Sequence, residues 1–456
     1  MGITFVIVGI LLLAYILIAT ENVTNVNRAA VMIFACTVGW VLYIGYGSDF
    51  VMNQHSQEYF TFLQGSATSS VRVKEFIANQ LLLKYVGRAS EIVLFLLATH
   101  TIVEILDNNE CFEFIRQMLR TRSSQKMLWL LGIVTLVISA NLDNLTTTVM
   151  MLVIMRKLVP NRRQRLIYGS AIVVAANCGG AMTVIGSPAG LLLWNKGLLT
   201  ASDFFLMMFI PCLLAWAIPT WWMGRELPSH VEADLGMLAY RGDDSRLQVW
   251  QRVLMLCLGI GGLWFVPTFH NITKLSPFLG ALCVLGLLWV VNEIFNHKLM
   301  DMDSMSDRRV PRSLYYGGNQ LIFYVLGMLL LLGVVVETGA VGDVWNFLQA
   351  NAVPEWLLAV TAGVVSSVLD NFATAASFFA LNPSTEINAP YWAMISYMSA
   401  VGGNVLIIGS IAGIALMRTE KIHIGWYFMH VGWKAMVGAA VGFGVLLLIV
   451  LTCWRN

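Results

Sequence analysis

Long apolar runs are the feature of this sequence that most restricts its fold. Hydrophobic residues make up 58% of the 456 residues and charged residues only 12%, a larger apolar fraction than a soluble core of this length can bury. A helix needs about 17–25 apolar residues to cross a bilayer. The chain is therefore predicted to be an all-α polytopic membrane protein. Eight runs have the length of ordinary spans: 3–19, 29–48, 89–106, 204–222, 252–270, 276–294, 319–338 and 435–452.

Charge and cysteine content exclude several other classes of protein. The net charge is only +2, and the basic residues lie in short clusters between apolar runs, so no nucleic-acid partner is expected. The seven cysteines are scattered and form no C-x-x-C motif, which favours packing over disulfides or metal binding. No cofactor is expected. The first apolar run lacks the flanks of a signal peptide and is predicted to be a retained span.

Pairs of short apolar runs interrupt the series of ordinary spans at two places, and each pair is joined at an Asp-Asn dipeptide. Runs of this length suit half-membrane helices, and two in succession form a re-entrant hairpin. Two further runs are long enough to cross but contain Gly-Gly and Gly-Ser steps, which is typical of a broken transmembrane helix. The hairpins are predicted at 127–142 with 145–159 and at 355–369 with 372–381, and the broken helices at 166–194 and 390–417.

The same order of motifs occurs twice in the chain. Residues 139–147 match 366–374 at an offset of 227, with Ser, Leu, Asp, Asn and the last Thr identical. Residues 179–190 match 402–413 at an offset of 223 and share Gly-Gly and Gly-Ser. Such internal similarity is typical of transporters built from repeats. The predicted segments are 1–87 (scaffold spans and an interfacial segment), 88–203 (first repeat), 204–318 (scaffold), 319–417 (second repeat) and 418–456 (interfacial segment and last span).

Basic residues in the loops predict the orientation, because cytoplasmic loops are enriched in Lys and Arg. Placing the base of the first hairpin, 156–165, in the cytoplasm leaves 21 of the 28 basic residues on that side. Both termini are then periplasmic, and the two hairpins open toward opposite sides of the membrane. The fold is therefore predicted to be an inverted-topology repeat with two re-entrant hairpins and two broken transmembrane helices, the architecture of an alternating-access transporter.

Asp143 and Asp370 suggest the chemistry. An ionisable group at mid-membrane costs at least about 2.5–3.5 kcal/mol, and this sequence is predicted to bury one twice. Carboxylate, amide and hydroxyl oxygens suit a hard cation such as Na+ or Li+. Burial favours a protonated carboxyl, whereas a bound cation favours the carboxylate, so proton and cation compete and can be exchanged. The candidate ion-binding residues are Ser139, Asp143, Asn144, Thr146, Thr147, Asn177, Gly179, Gly180, Ser187, Ser366, Asp370, Asn371, Thr374, Gly402, Gly403, Asn404 and Ser410.

Several of these candidates have a structural alternative. The Gly-Gly pairs suit helix packing as well as an unwound segment, and the Ser and Thr hydroxyls can bond to helix carbonyls instead of an ion. His100 and Glu104 are four residues apart and share a helix face. Because His titrates near neutral pH, His100 is a candidate pH sensor or proton relay. Glu104 and its counterpart Glu337 are candidates for the same role.

The strings SANLDNLTTT at 139–148, GSPAG at 186–190 and GGNVLIIGSIAG at 402–413 resemble the NhaD-type sodium/proton antiporter family of the ion transporter superfamily. The resemblance implies a homodimer in the bacterial cytoplasmic (inner) membrane that exchanges Na+ or Li+ for H+. It implies that Asp143, Asn144, Asp370 and Asn371 form the ion site, with Ser139, Thr147 and Ser366 nearby. His100 departs from the pattern, because that position is commonly apolar in the family, and so does Phe372-Ala373 in the second hairpin.

Competing classes fit the pattern less well. A sodium-coupled di- or tricarboxylate carrier, or another anion transporter of the same superfamily, would favour neutral Ser-Asn-Thr tips, because helix N-termini hold an anionic substrate. Two aspartates would repel such a substrate. An intramembrane protease has no use for an inverted duplication, and no zinc motif or Ser-Lys arrangement accompanies the aspartates. The sequence therefore predicts a transporter rather than an enzyme.

Overall fold

The computed structural model describes residues 2–453 apart from 25, 113–114, 116–117, 120, 232–246 and 297–311, and the regular elements of this part are helices. Eight helical segments within it are long and apolar enough to cross a membrane. Each overlaps one of the eight predicted spans, and two begin more than ten residues before the predicted start, which confirms the all-α polytopic class. The segments are Gly2–Ala19, Arg28–Gly45, Ser70–Asn108, Ala201–Gly224, Val249–Thr273, Pro277–Phe295, Gln320–Glu337 and Ile424–Thr452.

Three of these segments run through a π-helical turn, at Ile77–Leu82, Cys257–Gly261 and Phe428–Gly432. The helices used below are α1 (Gly2–Ala19), α2 (Arg28–Gly45), α3 (Gly47–Gln54), α4 (Ser56–Leu63), α5 (Ser70–Phe76), α6 (Leu83–Asn108), α7 (Ser124–Ser139), α8 (Asn144–Leu158), α9 (Arg162–Met182), α10 (Pro188–Asn195), α11 (Ala201–Gly224), α12 (Val249–Leu256), α13 (Gly262–Thr273), α14 (Pro277–Asn296), α15 (Arg312–Glu337), α16 (Ala340–Ala350), α17 (Glu355–Val368), α18 (Asn371–Leu381), α19 (Pro390–Gly402), α20 (Ile411–Glu420) and α21 (Trp433–Cys453).

The chain divides into two compact units. The first comprises Met1–Val93, Asn319–Leu358 and Ala376–Thr385. In it α2 lies directly against α15, because a Cβ on Gly327 would stand only 2.8 Å from the carbonyl carbon of Met32. Trp40 Nε1 donates a hydrogen bond to the Leu330 carbonyl at 3.1 Å across the same contact. Small residues that allow close backbone approach are typical of helix contacts in membranes.

The second unit comprises Leu94–Gly318, Ala359–Ala375 and Glu386–Asn456. Its packing centres on α11, α21, α9 and α7. Gly438 and Gly442 of α21 face backbone carbonyls of α11, where a Cβ would lie 2.9 Å from the Ala215 oxygen and 2.5 Å from the Pro211 oxygen. The predicted segment 319–417 is distributed over both units. The predicted five-segment division stays a prediction.

Helix breaks occur at the four predicted places. The first helix pair is α7 and α8, separated by residues 140–143, and the second is α17 and α18, separated by 369–370. The α9 helix ends at Met182 before α10 begins at Pro188, and α19 ends at Gly402 before α20 begins at Ile411. Apart from α9, which has 21 residues, the helices of these pairs and broken helices have 8–16 residues, fewer than an ordinary span needs. Their depth in the membrane and their inverted orientation stay predictions.

Candidate functional site

Both aspartates lie at a helix-pair junction and are almost completely buried. The side chain of Asp143 caps the N-terminus of α8, since its Oδ1 accepts a hydrogen bond from the Thr146 N–H at 2.9 Å. Asp370 Oδ2 accepts one from the Phe372 N–H at 3.1 Å. Asp143 is 4% exposed and Asp370 2%. A carboxylate buried this far needs a compensating partner or a proton.

The helix pairs contact the broken helices in the same way in both halves of the sequence. Ser139 Oγ donates to the Ala176 carbonyl at 2.6 Å, and Ser366 Oγ donates to the Ser399 carbonyl at 2.5 Å. Both bonds join residues that correspond in the predicted repeat. Glycines repeat the correspondence: a Cβ on Gly179 would clash with the Leu136 carbonyl, and a Cβ on Gly402 with the Gly363 carbonyl.

The second glycine of each pair lets the chain fold back on itself at the helix break. A Cβ on Gly180 would stand 2.6 Å from the Gly186 oxygen, and a Cβ on Gly403 2.7 Å from the Gly409 oxygen. Gly179 and Gly180 are still helical, and the first break begins only at Thr183. These glycines therefore serve close packing next to the unwound segment.

Serines cap the helices that follow the breaks. Ser187 Oγ accepts a hydrogen bond from the Gly190 N–H at 3.3 Å and caps α10. Ser410 Oγ accepts one from the Gly413 N–H at 3.0 Å and caps α20. Each hydroxyl oxygen thus lies at a helix N-terminus, beside the helix break.

A chain of buried amides surrounds the first Asp-Asn pair. Asn144 Nδ2 donates to Asn177 Oδ1 at 2.9 Å. Asn177 Nδ2 in turn donates to Asn404 Oδ1 at 2.8 Å and to Ser410 Oγ at 2.9 Å. The first tip is thereby joined through α9 to the break that precedes α20. These four predicted site residues form one hydrogen-bonded group.

His100 lies beside Asp143. Its Nδ1 is 2.8 Å from Thr146 Oγ1, a hydrogen bond, and its Nε2 is 3.6 Å from Asp143 Oδ2. The second distance is too long for a hydrogen bond but short enough for attraction when the ring is charged. Glu104, one helical turn later on α6, is half-buried and forms no ion pair with the described residues. Of the two predicted proton-handling residues on α6, only His100 contacts the tip.

A cavity of about 20 Å³ adjoins the second Asp-Asn pair, which is room for about one water molecule. The side chains of Ser396 and Ser399 are buried, and neither hydroxyl has a hydrogen-bond partner within the described residues. Residues lining the cavity include Ala181, Ser187, Asn371, Ser396, Ser399 and Ala400. Ser396 and Ser399, three residues apart on α19, could have indicated this polar side of the cavity. They were not predicted as site residues because the corresponding residues of the first repeat, Val173 and Ala176, are apolar.

The threonines of the two junctions have unequal surroundings. The Thr374 hydroxyl donates to the Asp370 carbonyl at 3.0 Å, a common bond within a helix. The hydroxyl of its counterpart Thr147 is fully buried and has no hydrogen-bond partner in the described part of the chain. Thr147 is therefore the threonine with an oxygen available to a ligand.

Glu337 belongs to a separate cluster in the first unit. Its Oε2 is 2.5 Å from His55 Nε2, and its Oε1 accepts a hydrogen bond from the Tyr85 hydroxyl at 2.7 Å. His55 Nδ1 also lies 3.1 Å from Glu58 Oε2. The hydrogen bond to Glu337 is the main cause that raises the pKa of His55, against the opposing effect of burial. Sequence reasoning identified Glu337 but missed His55 and Tyr85, because neither belongs to the repeat.

Replacing His55 with Gln should therefore destabilise the protein more at low pH. The folded-state pKa of His55 lies above the unfolded value of about 6.5. The added stability is complete below that unfolded value and is lost as pH rises through the raised folded value. We expect a loss of about 1–2 kcal/mol at pH 6 and a smaller one at pH 9, measured by thermal unfolding in detergent. Glu58→Gln, at a largely exposed carboxylate, is the matched control. An equal loss at both pH values would contradict the charged pair.

A family model described as a citrate transporter matches residues 15–396. The match covers most of the chain and includes both Asp-Asn pairs, but it stops before Gly402.

Individual relatives are named as antiporters. "Sodium/proton antiporter 1" of Arabidopsis thaliana is 33% identical over 367 residues, which are 80% of this chain and 62% of that protein. "Sodium/proton antiporter 2" of the same plant is 30% identical, over 78% of this chain and 84% of its own length. "Na(+)/H(+) antiporter NhaD" of Alkalimonas amylolytica is 26% identical over 99% of this chain and 90% of its own length. The chain thus spans less than two thirds of the first of these relatives and most of the other two.

Proposed function

We propose a cation/proton exchange function for this chain, which belongs to the citrate transporter family (CitMHS) and is a homologue of NhaD-type sodium/proton antiporters. It is a multi-pass membrane protein and a secondary transporter, not an enzyme. Within that class, the proposed reaction is the exchange of Na+ or Li+ for H+. The names of the antiporter relatives support this choice, and the chemistry of the site supports it independently.

The observation that carries the proposal is the pair of buried carboxylates, each at a break between helices and beside amide and hydroxyl groups. Asp143 and Asp370 are 4% and 2% exposed. In such surroundings a carboxylate must bind either a proton or a cation to remain buried. Binding of Na+ then releases the proton, and protonation releases Na+. Competition of this kind couples the two fluxes without any covalent step.

The residues around each carboxylate have different roles in the proposed exchange. In the proposed cycle, Asp143 and Asp370 hold the protons, so up to two protons can move per cycle. Asn144 and Asn371 begin the helices that follow and offer amide groups, and Ser187, which caps α10, offers a hydroxyl oxygen. In the predicted inverted repeat, the two Asp-Asn hairpins open toward opposite sides of the membrane. This arrangement would give alternating access.

Anion transport is the second candidate, because the family model is described as a citrate transporter. The residues that line the cavity at Asn371 include no Lys or Arg that could neutralise a carboxylate. Its volume of about 20 Å³ gives room for about one water molecule and not for a tricarboxylate. Two buried aspartates nearby would repel such a substrate. The site therefore favours a small cation.

We further propose that the protein acts as a homodimer in the bacterial cytoplasmic (inner) membrane, with both termini in the periplasm. The Lys and Arg distribution supports the orientation. Cysteines placed at either end and labelled from intact cells with an impermeant reagent would test it. Protection of both termini from the reagent would contradict the orientation.

Everted membrane vesicles test the exchange itself. After respiration has formed a pH gradient, added Na+ or Li+ should partly dissipate it in vesicles that contain the protein and not in vesicles that lack it. Citrate should have no effect beyond that of its counterion. Citrate uptake without any cation-evoked proton movement would overturn the proposal.

A further inference from the structure

The two Asp-Asn half-sites differ at residues that the repeat brings into correspondence. At the offset of 223, Asn177 corresponds to Ala400, and Ala181 corresponds to Asn404. Each half of the repeat thus has an asparagine where the other has an alanine. Both asparagines are almost fully buried, at 1% and 0% exposure. Buried amides are retained only where their hydrogen bonds are satisfied.

Both asparagines lie at the first half-site. Asn177 bonds to Asn144, and its Nδ2 also reaches Asn404 Oδ1 and Ser410 Oγ. The oxygen of Ser410 therefore accepts two hydrogen bonds, one from Asn177 and one from the Gly413 N–H. An oxygen that already accepts two N–H groups has little capacity left for a cation.

Both alanines lie at the second half-site. Ala181 and Ala400 line the cavity next to Asn371, and their methyl groups are too small to fill it. Ser187, the counterpart of Ser410, accepts a hydrogen bond only from the Gly190 N–H among the described residues. The hydroxyls of Ser396 and Ser399 also border this cavity without a hydrogen-bond partner there. The space that protein amides fill in one half thus remains open, and lined with oxygens, in the other.

We infer that Ala181 and Ala400 determine which half-site binds the transported cation. One monovalent cation of the size of Na+ or Li+ binds in the cavity at Asn371, with hydroxyl oxygens of Ser187, Ser396 and Ser399 in reach. Asn177 and Asn404 close the Asn144 half-site to cations. This inference rests on the proposed exchange function, because it assigns the cation to one of two carboxylates.

The arrangement gives the two aspartates different tasks. Asp370 directly precedes Asn371, which lines the open cavity, and is the carboxylate assigned to competition with the cation. Asp143 lies 3.6 Å from His100, beside a half-site in which Asn177 is bonded to Asn144, Asn404 and Ser410, and carries a proton. A transporter with this division binds one cation in each cycle.

Filling the cavity tests the inference. Ala181→Asn places in the second half the amide that occupies the first half, and should raise the Na+ concentration for half-maximal binding and exchange at least about tenfold, because it excludes the ion from its ligands. Ala181→Gly leaves the cavity open and should weaken Na+ binding far less than Ala181→Asn does. Binding of radioactive Na+ to the purified protein and exchange in vesicles provide the two readouts.

If Ala181→Asn fails to fold, a second variant tests the same cation site. The double variant Ser396→Ala/Ser399→Ala removes two oxygens with little change in volume and should also weaken Na+ binding at least about tenfold. Ser170→Ala is its control, because the Ser170 hydroxyl already donates to the Leu166 carbonyl at 2.7 Å. If folded Ala181→Asn or the serine double variant binds Na+ with wild-type affinity, the inference is overturned. The proposed exchange function would still stand in that case. No cation-evoked proton movement in the wild type would instead overturn the proposed function.

Discussion

Asp143→Asn and Asp370→Asn are each expected to reduce Na+- or Li+-dependent proton movement to the level of vesicles that lack the protein. Asparagine has nearly the shape of aspartate but cannot be protonated, so the competition between proton and cation is lost. The fold should survive, because Asn caps a helix about as well as Asp and its oxygen can still accept from the Thr146 N–H or the Phe372 N–H. Dye-monitored pH gradients in everted vesicles, with membrane protein content measured by immunoblot, provide the measurement.

An exposed carboxylate supplies the control. Asp343 lies in the first turn of α16 and is exposed, so Asp343→Asn should retain full exchange. If either junction variant exchanged cations at the wild-type rate, that aspartate would have no part in the mechanism. Loss of both protein and activity would be a folding defect, which the immunoblot separates from the expected result.

Glu420→Gln is expected to cause the largest loss of stability. Glu420 is 3% exposed at the end of α20, and its two carboxylate oxygens lie 3.1 and 3.2 Å from Arg165 Nε. Arg156 Nε lies 3.2 Å from the first of these oxygens. Removing one partner of a buried ion pair costs about 3–5 kcal/mol, because the other charge remains buried and unpaired. Thermal unfolding of the purified protein should show a clearly lower Tm.

Variants of neighbouring charged residues test whether the loss of stability comes from the buried ion pair. Arg156 is half-exposed, so Arg156→Gln should cost far less than Arg165→Gln, whose side chain is 17% exposed. The exposed pair of Arg72 and Glu75 provides the matched control, and Glu75→Gln should cost at most about 1 kcal/mol. A loss for Glu420→Gln no greater than that of Glu75→Gln would refute a stabilising role of the buried pair.

Hydropathy predicted the helices well because lipid imposes a length on every span. The eight spans and the four helix breaks lie where the apolar runs and the Asp-Asn and Gly-Ser steps placed them. The helix that contains the predicted span 89–106 begins well before the apolar run, since one helical path covers Ser70–Asn108 with a π-helical turn at Ile77–Leu82. The basic residues before the apolar run, among them Arg72 and Lys84, concealed this extension, since they lower the hydropathy of the helix end that contains them.

The site was predictable only where the sequence repeats. Asp143 and Asp370 were found because each occurs in a matched context. Ser396 and Ser399 were missed because the first half has Val and Ala at the corresponding positions, and unpaired hydroxyls become evident only when the packing is known. His55 was missed for a related reason: its partner Glu337 is 282 residues away in the sequence, and no local pattern joins them.

Uptake of radioactive Na+ into proteoliposomes that contain only the purified protein tests the central claim most directly. With an acidic lumen and a neutral exterior, outward proton movement should drive Na+ accumulation above its external concentration, and a protonophore combined with a potassium clamp should abolish the accumulation. Liposomes with the Asp143→Asn/Asp370→Asn protein should accumulate none. Equal Na+ uptake with and without the pH gradient, or uptake that survives loss of both carboxylates, would contradict exchange at these two residues.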